Sequence, residues 1–188
     1  FKQKTAYEIR LSLVGSEMCI RDRQEEFAYY HWANARLCTM LHNAFGAAQN
    51  LHKSYSRQVQ AIHEAAVHIV GAEQVWRLRI EGVSPDSMLS AADYPNVPEI
   101  QKLYETEKVK TQELLNTLQT EDDLNRIVMA TSTVGEARVF PLRVLLHHIV
   151  NHASYHRGQI TAYLIALRHE EHIIPTDFTT FYMEYAAE

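Results

Sequence analysis

Three histidines recur at steps of four within nine residues, at His148, His152 and His156. Each step of four turns an α-helix by about 40°, so a helix would carry all three imidazoles on one face. Imidazole nitrogens are common ligands of transition metals, and neighbouring turns of one helix can offer two of them to one ion. The alternative is a row of packed or surface histidines, although clustered imidazoles are costly to desolvate without a partner.

This row cannot supply every ligand of a three-histidine site. His148 and His156 would lie about 12 Å apart along the helix axis, too far to share an ion. The third ligand must therefore come from another element. An earlier helical segment offers His63 and His68, which a spacing of five residues places about 140° apart. Only one of these two can face the site; His68 lies among apolar residues and His63 lies beside an acidic one.

Composition restricts the class of protein. The chain has 188 residues, of which 46% are hydrophobic and 22% charged, as expected for one globular domain. It has no apolar run of about 18 residues, so we expect no contact with a membrane. A net charge of -5 argues against a nucleic-acid partner. Two cysteines exclude a disulfide scaffold and predict a cytoplasmic location.

The first 23 residues differ from the rest of the chain. Residues 2–9 (KQKTAYEI) resemble the translation of a common short-read sequencing adapter, and residues 13–22 (LVGSEMCIRD) resemble the adjoining transposase-type adapter in the same frame. We therefore predict that residues 1–23 are a non-native arm and that residues 24–188 form the domain. The alternative is a natural N-terminal arm.

Apolar residues at helical spacing predict four long helices in residues 24–188. Ser54 or Ser56 is a candidate N-cap for the second, and Pro98 and Pro141 mark the starts of the third and fourth. The first, third and fourth predicted helices span residues 25–45, 99–118 and 141–168, and the second runs from its Ser54 or Ser56 cap to about residue 81.

Residues 125–140 are rich in β-branched residues and predict a small hairpin with Gly135 in its turn. Residues 176–185 predict a short terminal helix capped by Thr176 or Asp177. The pattern is typical of an all-α four-helix bundle with a β-hairpin before its fourth helix. The long connection over residues 83–97 permits the second and third helices to run parallel.

Three sequence strings resemble the DinB family. They are NHASYHRGQI (residues 151–160), HIVGAEQVW (residues 68–76) and YHWANARL (residues 30–37), and the resemblance covers nearly all of residues 24–188. It implies a bundle in up-down-down-up order, a homodimer and a metal triad of one histidine from the second helix and a His-x3-His pair from the fourth. By position these ligands are His68, His152 and His156.

Other residues near this motif are candidates for supporting roles. His148 lies one turn before the ligand pair and would support the ligands or pack in the core. Arg157 could hold an anionic substrate group, or form a salt bridge within the bundle or dimer. Gln159 could orient a ligand imidazole, or lie at the surface or an interface.

Three neutral imidazoles leave at least one coordination position open, which is typical of a catalytic rather than a structural ion. Zinc and nickel suit this ligand set best, and iron and manganese also fit. The resemblance implies a metal that activates the thiol of a low-molecular-weight cofactor. We therefore predict a thiol-dependent S-transferase acting on a small molecule. The alternatives are a metal-water hydrolase and a non-catalytic metal-binding stress protein.

Overall fold

A computed structural model describes residues 6–132 and 135–185, with side chains described from Ile20 onward. The chain is mostly helical with one two-stranded antiparallel sheet, which confirms the predicted helical class and the hairpin. Within these residues no helix is both long and apolar enough to cross a membrane. The elements are α1 (Ala6–Phe45), α2 (Arg57–Ile80), α3 (Val97–Asn116), α4 (Glu121–Asn125), β1 (Ile127–Thr131), β2 (Ala137–Pro141), α5 (Leu142–Ala166) and α6 (Phe178–Tyr185).

The helix starts follow the capping residues in the sequence. The Ser56 side chain accepts a hydrogen bond from the backbone N–H of Val59, so Ser56 rather than Ser54 caps α2. Pro141 precedes α5 directly, as predicted. At the C-terminus, the Asp177 carboxylate accepts a hydrogen bond from the backbone N–H of Thr180, which identifies the cap of α6.

The start of one helix and the presence of another are the largest departures from the prediction. Helix α1 begins at Ala6 rather than at residue 25, because residues 6–24 contain good helix formers and no proline. Helix α4 was not predicted, although Thr120 and Asp123 form a reciprocal capping box at its start. The predicted domain boundary at residue 24 thus falls inside a helix. Residues 1–5 lie outside the described residues, and the foreign origin of residues 1–23 stays a prediction.

The long helices pack around one apolar core. Helix α2 packs against α5 and α3, and α1 packs against the same two helices from the other side. The hairpin contacts α2 through β1 and leads directly into α5 through β2. The fully buried side chains of this core include Phe27, Tyr30, Leu37, Leu41, Ile62, Ile69, Ile100, Leu115, Leu142 and Leu145.

A buried polar cluster links three of the helices. The Glu73 carboxylate on α2 accepts hydrogen bonds of 2.7 Å from the Tyr30 hydroxyl on α1 and of 2.7 Å from the Thr111 hydroxyl on α3. One turn further along α2, Arg77 donates to Glu107 of α3. Because each bond joins different helices, the cluster fixes the rotation of α2 about its axis and therefore the direction of its outward face.

Glu73 makes the stability of the protein depend on pH. Burial raises the pKa of the Glu73 carboxyl to about 7, from its ordinary value of 4.5. A carboxyl group whose pKa is higher in the folded than in the unfolded state stabilises the folded protein when the pH is below the unfolded-state pKa. This contribution to the unfolding free energy is lost as the pH rises through about 7. Between pH 5 and pH 8, we therefore expect the unfolding free energy of the parent protein to fall by about 2 kcal/mol more than that of Glu73→Gln.

Urea unfolding of both proteins across this pH range measures the effect. The comparison with Glu73→Gln cancels the contributions of the histidines, which titrate in both proteins. Parallel pH profiles for the two proteins would contradict a neutral buried Glu73.

Candidate metal centre

The packing of α2 against α5 brings three predicted ligands together. His68 projects from α2, and His152 and His156 project from adjacent turns of α5. One ring nitrogen from each residue can be chosen so that all three lie within 4.8 Å of one another. The ring centroids are separated by 5.1 Å (His68–His152), 4.7 Å (His68–His156) and 4.5 Å (His152–His156). We call these three side chains the histidine cluster.

The spacing within the histidine cluster suits a shared ion. The Nε2 atoms of His68 and His152 are 3.0 Å apart. Two nitrogens each about 2.1 Å from one ion are separated by about 3.0 Å at a right angle and about 3.4 Å at the tetrahedral angle. The observed separation matches the right-angle value. All three residues are half-buried, so the ring nitrogens are partly withdrawn from water while one side remains accessible.

The surroundings of His68 and His152 favour the neutral imidazole, which is the form that binds metal. Burial lowers the pKa of His152 to about 4, and the neighbouring His156, His68 and His148 add to this effect. Burial and His156 also lower the pKa of His68. The lowered pKa values leave the ring-nitrogen lone pairs of His68 and His152 free to bind a metal ion.

Two residues support the cluster from α5. The Nδ1–H of His156 donates a 2.7 Å hydrogen bond to Gln159 Oε1, which fixes the tautomer of His156 with its Nε2 lone pair free. His148 stacks on His152 with ring centroids 5.3 Å apart. The Trp76 ring packs edge-on against His148, with centroids 5.5 Å apart. His148 therefore packs between the cluster and Trp76.

The structure places His63 away from the cluster. Its Nε2 lies 2.8 Å from the carbonyl oxygen of Tyr94, and the residue is fully buried. This hydrogen bond connects α2 to the turn that precedes α3. Of the two histidines that the sequence offered on α2, only His68 faces α5.

Arg157 does not line the cluster, which corrects the prediction that it could hold a substrate anion there. It is buried against α1, where its guanidinium donates to the Asn34 amide oxygen and the Tyr29 hydroxyl, as well as to Ser154 on α5. One residue along a helix turns the side chain by about 100°, so Arg157 points away from the face that carries His156. The predicted salt bridge is also absent among the described residues, because its partners there are neutral groups.

Two clefts open on either side of the histidine cluster, and His68 lines both. One holds about 650 Å³ and is also lined by His156, Gln159 and Glu64; we call it the Glu64 cleft. The other holds about 270 Å³ and is lined by His152 and by Arg79; we call it the Arg79 cleft.

Sequence reasoning missed both Glu64 and Arg79. Glu64 precedes His68 by four residues, a spacing that could have indicated a shared face. No spacing in the sequence points to Arg79, because the opposite side of its cleft is formed by the hairpin, which is distant in the sequence.

One cysteine and a second group of possible ligands are weaker candidates for a functional site. Burial raises the pKa of the Cys38 thiol to about 12, so this residue is not a nucleophile. A second group of possible ligand atoms, from His169, Glu171 and His172, also lies within 4.8 Å. This group belongs to a single surface turn, and its Glu171 side chain is 61% exposed. It offers no enclosed site for a substrate.

The fold and the histidine cluster define a helical protein with a candidate three-histidine metal centre. The family model described as the DinB family matches residues 18–183, which is most of the chain. The chain belongs to the DinB family. A comparison with curated protein sequences gives no match. The homodimer, the small-molecule substrate and the cytoplasmic location stay predictions.

Proposed function

We propose that the protein binds one divalent transition metal through His68, His152 and His156 and acts as a metal-dependent enzyme. The observation that carries this proposal is the convergence of three imidazoles from two helices, with one ring nitrogen of each within 4.8 Å of the others. The proposal includes the up-down-down-up four-helix bundle of the family, with the site between its second and fourth long helices. Zinc and nickel suit three nitrogen ligands best, and iron and manganese also fit.

The most plausible reaction class is a thiol-dependent S-transfer. A bound divalent ion supplies Lewis acidity, which favours the thiolate form of a low-molecular-weight thiol. The chain's own residues position the ligand rings and leave space for the reactants. Gln159 fixes the His156 ring, His148 packs against the His152 ring, and the Glu64 cleft offers about 650 Å³ beside the cluster. This volume is in the range of pockets that bind small molecules.

One observation favours a second candidate, a metal-dependent hydrolase. Glu64 is exposed and lines the same cleft as His68 and His156. A carboxylate in that position could accept a proton from a water molecule at the site. The transferase is preferred because the family resemblance favours thiol chemistry.

Cobalt substitution tests the thiol proposal. We expect the cobalt-loaded protein to develop a sulfur-to-cobalt charge-transfer band when it is titrated with bacillithiol, mycothiol or glutathione. The absorption spectrum measures this directly, because a thiolate must join the ion for the band to form. A matched control is the same titration with the serine-containing analogue of the effective thiol, which should give no band.

The titration separates the transferase from the other two functions. A band with one thiol supports the transferase. Cobalt binding without a band for any thiol contradicts the transferase and leaves the hydrolase or a non-catalytic metal-binding protein. Failure to bind cobalt contradicts the metal centre itself.

A further inference from the structure

The Arg79 cleft has a different chemical character from the Glu64 cleft. Helix α2 contributes Arg79 and Trp76 to it, the hairpin contributes Arg138 and Ser132, and α5 contributes His152. Two guanidinium groups therefore face a cleft that also reaches the histidine cluster. The small volume, about 270 Å³, suits one functional group of a ligand rather than a whole small molecule.

Arg79 is buried without a compensating charge. The residue is only 7% exposed, and its Nε has no hydrogen-bond partner. Among the described residues it forms no salt bridge, whereas Arg77, two residues earlier, pairs with both Glu81 and Glu107. Its guanidinium carbon instead lies 4.7 Å from the centre of the Trp76 ring. A cation–π contact holds the group in place but neutralises none of its charge.

The nearby guanidinium of Arg138 increases the free-energy cost of burying Arg79 when no anion is bound. Burial and the nearby Arg138 both lower the pKa of Arg79, which shows that the two cations disfavour each other. Arg138 has a partner of its own, because it donates a 3.0 Å hydrogen bond to the exposed Glu136. Burying an uncompensated charge beside a like charge is expensive. An unpaired buried charge is typical of a binding site in which the ligand carries the opposite charge.

We propose that the Arg79 cleft binds an oxyanionic group of the substrate, a carboxylate or a phosphate. Arg79 forms the charged hydrogen bonds, Arg138 adds a second positive charge, and Ser132 offers a hydroxyl at the hairpin side. Because His152 and His68 line the same cleft, an anion held there places the rest of the substrate beside the histidine cluster. This inference rests on the proposed function for its substrate, but the anion site itself is independent of any metal.

Tryptophan fluorescence in metal-free protein tests the anion site. The chain has two tryptophans, so Trp32→Phe leaves Trp76, which contacts Arg79, as the only reporter. We expect inorganic phosphate or acetate to change its emission saturably, and the better probe identifies the preferred oxyanion. Adding Arg79→Met should weaken binding at least about tenfold, because charged hydrogen bonds are lost. Arg143→Met, which removes an exposed guanidinium on α5, is the matched control and should bind as the parent does.

The melting temperature separates a binding role from a structural one. If Arg79 serves binding, Arg79→Met melts no lower than the parent, and the effective anion raises the melting temperature of the parent and of Arg143→Met but not that of Arg79→Met. Equal anion binding by parent and Arg79→Met, no saturable change in the parent, or equal loss in Arg143→Met would overturn the proposal. If the parent protein binds the anion but does not bind cobalt, the proposed function is contradicted and the anion site still stands.

Discussion

Replacing His68 or His152 with alanine is expected to abolish metal binding, whereas His148→Ala should weaken it at most a few fold. Each of the first two changes removes a ring nitrogen from the group that lies within 4.8 Å, and leaves only two imidazoles. His148 lies outside that group and contacts His152 by ring stacking. Removing it would loosen the His152 ring without removing a ligand.

Elemental analysis and calorimetric titration of the purified variants measure these effects. His147→Ala is the matched control, because His147 lies on the same helix and its side chain is 65% exposed. Saturating metal should also raise the melting temperature of the parent and of His147→Ala, but not that of His68→Ala. An equal loss of metal in His68→Ala, His152→Ala and His148→Ala would show that the ligand choice is wrong.

The second large effect concerns stability. We expect Arg77→Met to lower the unfolding free energy by about 3–5 kcal/mol, because it leaves the Glu107 carboxylate buried without its closest cation. Glu107 is only 1% exposed, and its other cationic contact, Lys110, is 3.9 Å away. Urea unfolding at constant pH measures the change.

A double replacement distinguishes an uncompensated charge from a loss of packing. In Arg77→Met with Glu107→Leu, no buried charge remains, and we expect most of the lost stability to return. Arg36→Met is the control, because Arg36 pairs with the half-exposed Glu184 and should cost about 1 kcal/mol or less. A double variant as unstable as Arg77→Met would contradict this account.

Local signals in the sequence predicted much of the fold. Ser56, Pro141 and Asp177 each act at the start of a helix, because capping depends on residues within one turn of the helix end. The same kind of signal was present but missed at Thr120, which caps α4. The early start of α1 was also missed, since helix propensity without a clear apolar period gives a weak boundary.

The site was predictable only where its residues share one helix. The contact between Gln159 and His156 follows from a spacing of three, and the approach of His152 to His156 from a spacing of four. The choice between His63 and His68 required the family resemblance, since both lie on the same helix. Arg157 was misplaced because its position beside His156 in the sequence says nothing about which helix packs against it.

The sequence by itself determined that α5 carries a row of imidazoles on one face, since the period of the α-helix is set by its own backbone hydrogen bonds. The tertiary structure alone decided what meets that row. Packing of the core and the buried polar cluster around Glu73 set the rotation of α2, which turned His68 toward α5 and His63 toward Tyr94. The same packing brought the hairpin to α2 and enclosed Arg79. Such long-range arrangements depend on the summed burial of many side chains, which no local pattern encodes.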